Sequence, residues 1–312
     1  MTSPMTCSRV GKEVCPPRTI RASVIWDSIG NRPVQQHILR GCFLMIFVNN
    51  LSPYLFKLNI GGHPVGLRWY GLAYALGFYF GYITLDRALK RGTLTNFTKQ
   101  ALDHLMYALI IGVLLGGRLG YTVQNLGSWA KDPFFPLEVW NGGMAFFGGL
   151  IGVAIGIAVV ARKHKLRVLE LADLVTMPTA LGLAIGRIAN FANAELWGRP
   201  THANWGVIYP NVDNQPRHPS ELYESFSHFL MFALLVLALR TWPKWWRLGT
   251  GRLSAAFLII YGVLRFISDF WRDEPLVGPL NTGQYASAVV ALVGFVCLGL
   301  AWRDRGLPSP GD

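Results

Sequence analysis

Residues 174–194 read LVTMPTALGLAIGRIANFANA, an apolar stretch that contains a single charged residue, Arg187. Its length matches the roughly 20 residues that a helix needs to cross the hydrocarbon core of a bilayer. Six further runs of this kind occur, at residues 69–85, 105–124, 139–161, 225–239, 253–270 and 285–302. We therefore predict an all-α, polytopic membrane protein with seven transmembrane helices.

The composition of the whole chain supports this prediction. Only 15% of the 312 residues are charged and 52% are hydrophobic, whereas soluble domains have about 25% charged residues. The net charge is +12, but the Lys and Arg residues form short clusters between the apolar runs. Membrane proteins distribute basic residues in this way, so we expect no nucleic-acid partner. The four cysteines show neither a disulfide framework nor a paired metal-ligand spacing.

The basic residues also predict the orientation of the helices. One set of alternate connections carries fourteen Lys and Arg residues and the other carries four. Because Lys and Arg accumulate on the cytoplasmic side, the first helix is expected to begin outside and the C-terminus to lie in the cytoplasm. The connection of about 25 residues after the fourth helix is then external, and we predict that it forms a small extracytoplasmic lid.

The first 44 residues do not fit the membrane pattern. They contain Pro16, Pro17 and six basic residues, and they show no amphipathic period. They also match a secretory signal poorly, because the apolar part of such a signal usually lies within the first 15 to 30 residues. We interpret residues 1–44 as a disordered leader or a start-site artefact, and residues 45–312 as the seven-helix domain.

Three arginines, Arg118, Arg187 and Arg265, lie inside predicted spans. An arginine at the centre of a membrane helix costs about 2.5 to 3.5 kcal/mol on insertion scales, so each needs a reason. For Arg118, snorkelling of the side chain to the outer interface is as good an explanation as a functional role. Asp269 follows Arg265 by one helical turn and can hold its guanidinium, which also allows a purely structural ion pair. Guanidinium groups match phosphate geometry. In the predicted topology the three arginines lie toward the outer leaflet, at the depth of the lipid phosphates, so a lipid headgroup is the expected ligand.

Familiar hydrolase patterns are absent from the sequence. It contains no HExxH or GxSxG motif, so no catalytic metal or serine nucleophile is expected, and a substrate can supply the nucleophile. His218, in the external connection, is either a surface residue or a participant in the reaction.

Six motifs occur in order between residues 45 and 302, and together they identify a resemblance. They are HPVGLRWYG (63–71), GGRLGY (116–121), WNGGM (140–144), GRIANFANAELWGR (186–199), RHPSELYE (217–224) and YGVLR (261–265). This pattern resembles the bacterial prolipoprotein diacylglyceryl transferase family.

The resemblance implies an enzyme of lipoprotein biogenesis in the bacterial cytoplasmic (inner) membrane, with no cofactor. Its substrates would be phosphatidylglycerol, among the membrane lipids, and the lipobox peptide of a prolipoprotein. The diacylglyceryl group would pass to the lipobox cysteine thiol, with glycerol 1-phosphate as by-product. The resemblance further implies roles for individual residues: phosphate binding by Arg187 and Arg265, completion of the catalytic site by Tyr70 and Asn190, and substrate binding by Glu195 and Gly198, which would shape the site. From their positions in the sequence we also expect Arg118, His218 and Asp269 to take part in substrate binding.

Two positions depart from the family pattern. Phe147 stands where many members have a histidine, and a phenyl ring cannot accept a proton. Asp269 replaces the more usual glutamate and keeps the charge on a shorter side chain. The thiolate could form without a dedicated base, because a free cysteine with a pKa near 8.5 is already a few per cent ionised at neutral pH. If another side chain acts as base, His218 is the leading candidate.

A different class of protein also fits the buried arginines. A membrane carrier or binding protein for an anionic lipid or metabolite would place arginines inside its helices. Against this alternative, the three arginines lie toward one side of the membrane rather than at its midplane, and the sequence shows no clear inverted repeat.

Overall fold

The computed structural model describes residues 47–60, 63–92, 94, 96–138 and 143–303. The predicted leader, residues 1–44, and the first part of the third predicted span, residues 139–142, lie outside this range. The division into residues 1–44 and 45–312 therefore stays a prediction.

Helices dominate the described part of the chain. They are α1 (Trp69–Lys90), α2 (Lys99–Gln124), α3 (Leu126–Lys131), α4 (Phe146–Lys163), α5 (Val168–Ala192), α6 (Ser220–Thr241), α7 (Arg252–Ser268) and α8 (Thr282–Arg303). Within the described residues six of these, α2 and α4 to α8, are long and apolar enough to cross a membrane. The prediction of an all-α polytopic membrane protein is confirmed.

Helix α1 coincides with the first predicted span but does not belong to that set of six. Its 22 residues include several tyrosines and glycines, and Asp86, Arg87 and Lys90 lie in its last turns. Tyrosine, glycine and charged residues lower its mean hydropathy, so it falls outside the set of six. The count of seven spans accordingly stays a prediction.

Several helices begin before or after the predicted spans, and the starts of α4 and α6 are the informative cases. The third span was predicted from residue 139, but α4 begins only at Phe146. Gly143 has a φ of +84°, a left-handed conformation that cannot continue a right-handed helix. The fifth span was predicted from Ser225 and expected to need the stretch from Glu221. Helix α6 includes that stretch and begins at Ser220, directly after Pro219.

Helices α2 and α4 pack along a seam of glycines that we call the α2–α4 seam, formed by Gly112, Gly116, Gly148 and Gly152. A methyl group at Gly112 would lie 2.6 Å from the carbonyl oxygen of Gly152, and one at Gly116 would meet the carbonyl oxygen of Gly148. Small residues allow membrane helices to approach at backbone distance, where dispersion contacts hold them together. The glycine-rich composition of the second and third spans is thereby explained.

Short strands, which the hydropathy pattern does not predict, lie outside the long helices. Strands β2 (Tyr54–Ile60) and β3 (His63–Arg68) form an antiparallel pair that leads into α1. Between α5 and α6, β4 (Val207–Ile208) pairs in parallel with β1 (Phe47–Val48) and antiparallel with β5 (Pro216–Arg217). A last antiparallel pair, β6 (Leu276–Val277) and β7 (Leu280–Asn281), precedes α8. The α5–α6 loop, residues 193–219, is thus structured, and its role as an external lid stays a prediction.

One buried carboxylate joins the beginning of α5 to the beginning of α7. Asp173 is fully buried and accepts hydrogen bonds from the backbone N–H groups of Gly249, Gly251 and Ser254, at 2.9 to 3.0 Å. The Ser254 hydroxyl donates a fourth bond at 2.7 Å. Both glycines have positive φ, +86° and +75°, a conformation that glycine adopts without steric cost. Asp173 therefore satisfies N–H groups at the start of α7 that have no partner within the helix.

Candidate active site

Helices α5, α6 and α7 bring two of the predicted arginines together around a carboxylate. Arg187 of α5 contacts Glu224 of α6 through its Nε atom, at 2.7 Å from Oε2. Arg265 of α7 contacts the other oxygen, Oε1, through Nη1. Glu224 is fully buried, so a single carboxylate holds two guanidinium groups inside the helix bundle.

A second carboxylate and a third arginine extend this group at the end of α7. Asp269 lies in a 3-10 turn, Asp269–Trp271, and its Oδ1 is 2.9 Å from Nη2 of Arg265. Arg272 donates to Glu224 Oε1 at 3.2 Å and contacts Glu274 at 2.8 Å. We call Arg187, Arg265, Arg272, Glu224 and Asp269 the arginine cluster. The pair that the sequence analysis expected between Arg265 and Asp269 is present.

The charges of the cluster are almost completely removed from solvent. Glu224 and Asp269 are buried, and the exposed fractions of the arginine side chains are 17% for Arg187, 11% for Arg265 and 8% for Arg272. Buried charges are tolerated when they are paired and hydrogen-bonded. With Glu274 at the edge, three acidic groups face three basic ones. Arg187 is the most accessible of the three arginines and is the best placed to meet a ligand.

A chain of hydrogen bonds leads from Arg187 to the α5–α6 loop. Arg187 Nη1 donates to Asn190 Oδ1 at 3.2 Å, and the amide of Asn190 donates to the hydroxyl of Tyr70 at the start of α1. The Tyr70 hydroxyl donates to Glu195 Oε2 at 2.5 Å. Four residues that the resemblance implicated are therefore connected in one polar path.

The backbone around Glu195 is unusual. Both neighbours of Glu195 have a left-handed backbone, with φ of 53° at Ala194 and 64° at Leu196, and the Glu195 N–H donates to the carbonyl of Asn190 at 3.1 Å. Non-glycine residues in this region cost of order 1 kcal/mol or more and persist where the surroundings enforce them. The tight turn directs Glu195 back toward the end of α5.

Gly198 lies where three backbone segments cross. Its N–H donates to the His218 carbonyl at 2.9 Å, and it forms a bridge with Arg272. A methyl group at this position would lie 2.5 Å from the Trp271 carbonyl oxygen and 2.6 Å from that of His218. No side chain fits there, so Gly198 holds the α5–α6 loop against the segment that carries Arg272.

Arg217 stabilises the same loop. It contacts Asp213 and Asp273, both at 2.7 Å, and lies over the ring of Trp197, with its guanidinium carbon 4.5 Å from the ring centroid. The hydrogen bond from Arg217 lowers the pKa of the Asp213 carboxyl. This arginine is thus used in holding the loop together.

His218 borders the loop, and its Nδ1 lies 3.1 Å from the hydroxyl of Tyr223. That hydroxyl also accepts a hydrogen bond from Trp205 Nε1 at 2.7 Å. Partial burial lowers the pKa of His218 below the usual value near 6.5, so the imidazole is neutral at pH 7. Its proposed part in substrate binding stays a prediction.

Arg118, the third arginine of the sequence analysis, is bound by backbone carbonyls. Its guanidinium donates to the carbonyl oxygens of Phe135, of Pro136 at 2.9 Å and of Gly143 at 3.2 Å. It also lies near the rings of Tyr121 and Phe135, 5.5 and 5.2 Å from their centroids. These contacts hold the α2–α4 connection, which accounts for a buried arginine without a ligand. Substrate binding by Arg118 stays a prediction.

Two residues of the site are not predicted from the sequence. Glu224 is only the last residue of the motif RHPSELYE, and Arg272 is only one of the loop charges. Their partners are far apart in the chain, so no local spacing reveals them. Among the described residues no group of three or more His, Cys, Asp or Glu side chains is arranged to hold a metal ion.

Comparison with known proteins agrees with the motifs. Residues 53–300 match the family model described as "Prolipoprotein diacylglyceryl transferase". The chain is 42% identical over 263 residues to a phosphatidylglycerol–prolipoprotein diacylglyceryl transferase of Nitrosospira multiformis, covering 82% of this chain and 89% of the relative. Proteins of the same name are 38% identical in Nitrosomonas europaea, over 81% of this chain and 91% of the relative, and 37% identical in Legionella pneumophila strain Lens, over 84% and 100%.

Proposed function

The chain belongs to the prolipoprotein diacylglyceryl transferase family, and from this premise we propose that it transfers the diacylglyceryl group of phosphatidylglycerol to the lipobox cysteine of a prolipoprotein. Glycerol 1-phosphate leaves, and the product is a thioether. We propose the bacterial cytoplasmic membrane as its location, with the C-terminus in the cytoplasm and the α5–α6 loop on the outer side. The 14 to 4 asymmetry of basic residues supports that orientation.

The observation that carries the proposal is the arginine cluster inside the membrane helices. The reaction breaks a bond between carbon and a phosphate oxygen, so negative charge grows on the phosphate as it leaves. Fixed positive groups aimed at developing charge are usually the largest contribution to catalysis. Arg187 and Arg265 are held by Glu224 and Asp269, so they need no reorganisation when the charge appears.

The neighbouring residues are assigned roles by their contacts. Asn190 bonds to the Arg187 guanidinium, and Tyr70 connects Asn190 to Glu195. We assign Tyr70 and Asn190 to the polar wall of the donor site, and Glu195 to the end of that wall. Gly198 keeps the loop close to the cluster, because its N–H donates to the His218 carbonyl and its backbone forms a β-bridge with Arg272.

The nucleophile in this scheme is the thiolate of the acceptor peptide. It attacks the glycerol carbon that carries the phosphate of the donor lipid; the S–C bond forms while the C–O bond breaks. The electron pair of that bond leaves on the phosphate oxygen of glycerol 1-phosphate. Nearby guanidinium groups favour the ionised form of a thiol, so the same residues assist both the attacking and the leaving group.

The test uses purified protein in detergent with labelled phosphatidylglycerol and a synthetic lipobox peptide. Release of glycerol phosphate together with peptide labelling is expected. A carrier for anionic lipids would instead bind the lipid without releasing glycerol phosphate. Replacing Arg187→Lys or Arg265→Lys keeps the charge but removes the planar fork. Each change is expected to lower the rate about tenfold or more, equivalent to ~1.4 kcal/mol.

Arg240→Lys is the matched control, because Arg240 is an exposed arginine in the last turn of α6. It is expected to react at the wild-type rate. Wild-type turnover in both Arg187→Lys and Arg265→Lys would exclude bidentate phosphate binding by these residues.

A further inference from the structure

A short segment between α6 and α7 is rich in tryptophan and basic residues. Residues 242–252 read WPKWWRLGTGR, with three basic residues, three tryptophans and no acidic residue. The segment joins the end of α6 to the start of α7, and both helices are long and apolar enough to cross a membrane. The segment is therefore expected at the membrane surface.

This segment is well separated from the arginine cluster. Arg252 is the first residue of α7, and Arg265 lies in the last turn of the same helix. Because a helix rises 1.5 Å per residue, the two positions are about 20 Å apart along the helix axis. The segment therefore belongs to the opposite side of the membrane from the groups that we assign to the donor phosphate. In the proposed orientation that side is cytoplasmic.

Several contacts hold the backbone of the segment in one conformation. Asp173 of α5 accepts hydrogen bonds from two of its backbone N–H groups, those of Gly249 and Gly251. Nη1 of Arg252 donates to the carbonyl oxygen of Trp245 at 3.0 Å. A further tryptophan of the segment packs against the buried hydrophobic cluster of α5, α6 and α7. The side chains of the segment are thus presented from a fixed frame.

Tryptophan rings lie at the ends of the surrounding helices. Trp242, directly after α6, is 66% exposed, and Trp302, near the end of α8, is 52% exposed. The ring of Trp302 meets the ring of Trp245 edge-on, with centroids 4.9 Å apart. Tryptophan is enriched at membrane–water interfaces, where its ring lies at the level of the lipid headgroups. The rings therefore indicate that the segment lies at headgroup depth.

Two cations of the segment have no anionic partner among the described residues. Lys244 and Arg247 are exposed, and neither forms an ion pair within the part of the chain that the structure describes. The acidic groups of α5 that face the segment are already used. Glu170 pairs with Arg167 at 2.8 Å, and Asp173 is buried and bound to the backbone. An anion from outside the protein can therefore neutralise both cations.

We propose that this segment, together with Trp302 of α8, binds the headgroup of an anionic phospholipid in the leaflet opposite the donor site. Lys244 and Arg247 contact the headgroup phosphate, and the exposed tryptophan rings contact the lipid beside it. Basic residues next to a membrane helix attract anionic lipids. A zwitterionic lipid gains less, because its headgroup also carries a positive charge. The site takes no part in the transfer reaction, so the proposal is independent of the proposed function.

The test measures lipid binding to the purified full-length protein in detergent by native mass spectrometry. The probe is dioleoylphosphatidylserine, which is anionic but is not the proposed donor, and dioleoylphosphatidylcholine is the zwitterionic comparison. Combining Lys244→Gln with Arg247→Gln should remove one bound phosphatidylserine, with the affinity of that step about tenfold or more weaker. Binding of phosphatidylcholine should not change. Because the method counts lipids per protein, a lipid in the donor site does not obscure the loss.

The control combines Arg87→Gln with Arg91→Gln. These arginines are exposed at the end of α1 and have no tryptophan near them in the sequence, and the predicted topology places them on the same side of the membrane. The control should bind phosphatidylserine like wild type. An equal loss in both double variants would mean that bulk charge alone attracts the lipid, and that result would overturn the proposal.

Unchanged phosphatidylserine binding in the variant that combines Lys244→Gln with Arg247→Gln would overturn it as well. Thermal unfolding in detergent checks that each variant is folded. Trp242→Leu provides a second test that keeps both charges, and it is expected to weaken the same binding step. If Trp242→Leu binds phosphatidylserine like wild type, the tryptophan is not part of the site and the proposed geometry is wrong.

Discussion

Replacement of Glu224 by Gln is the sharpest structural test of the arginine cluster. The carboxylate of Glu224 is the common partner of Arg187, Arg265 and Arg272, which come from α5, α7 and the segment after α7. Glutamine keeps the size of the side chain and removes its charge. Three buried guanidinium groups are then left with Asp269 and Glu274.

The expected magnitude follows from the burial of the group. Removing one partner of a buried ion pair costs about 3 to 5 kcal/mol, because the remaining charge is uncompensated. For domains of 150 to 250 residues 1 kcal/mol corresponds to about 2 to 4 °C in Tm, so we expect Glu224→Gln to lower Tm by roughly 6 °C or more. Transfer should fall as well, since the guanidinium groups lose the contact that positions them.

Thermal unfolding in detergent, followed by the release assay at a temperature where both proteins are folded, measures the two effects separately. Glu274→Gln is the matched control, because Glu274 contacts Arg272 at 2.8 Å but is a quarter exposed. Because Glu274 keeps contact with solvent and pairs with only one of the three arginines, its replacement is expected to lower Tm less than Glu224→Gln does. If Glu224→Gln changes Tm no more than Glu274→Gln and transfers at the wild-type rate, the cluster is not organised around Glu224.

Four further predictions concern other parts of the chain. Gly152→Leu is expected to separate α2 from α4 and to abolish stable expression, as measured by the yield of monodisperse protein, because a methyl group alone would meet the Gly112 backbone. Asp173→Asn should destabilise the protein by about 1 to 3 kcal/mol, measured by Tm, because buried donors lose a charged acceptor. Burial lowers the pKa of His218, so the unfolded chain binds a proton near pH 6.5 that the folded chain does not; stability should fall as pH decreases below 6.5, and less so in His218→Gln. An impermeant thiol reagent should label a cysteine at position 202 but not at 164 in intact spheroplasts, and the reverse pattern would invert the topology.

The membrane helices were readable from the sequence because hydropathy is a local property. Each apolar run, including residues 174–194, falls largely on one long helix, α1, α2 or α4 to α8, and the four-residue spacing of Arg265 and Asp269 predicted their contact on one helix face. The start of α4 was missed because the apolar pattern continues through Gly143, whose positive φ does not fit a right-handed helix.

The centre of the site was less predictable, since it depends on contacts between distant residues. Glu224 is 37 residues from Arg187 and 41 from Arg265, and neither separation corresponds to a helical period. Arg118 illustrates the opposite difficulty. Its position inside a predicted span led to the same phosphate-binding hypothesis as for Arg187. In the structure, however, the Arg118 guanidinium donates to backbone carbonyls. Residue type and depth alone do not distinguish these two environments.

The carboxylate of Asp173 has a mechanical consequence for substrate entry. It clamps the beginning of α5 to the beginning of α7, and the ion pairs through Glu224 clamp the same two helices near their other ends. Because these contacts hold α5 and α7 near both ends, the two helices cannot slide past each other or separate without breaking several buried hydrogen bonds and ion pairs at once. We therefore expect α5 and α7 to act as a rigid frame, and the sideways opening that admits a lipid to arise from movement of other helices against it.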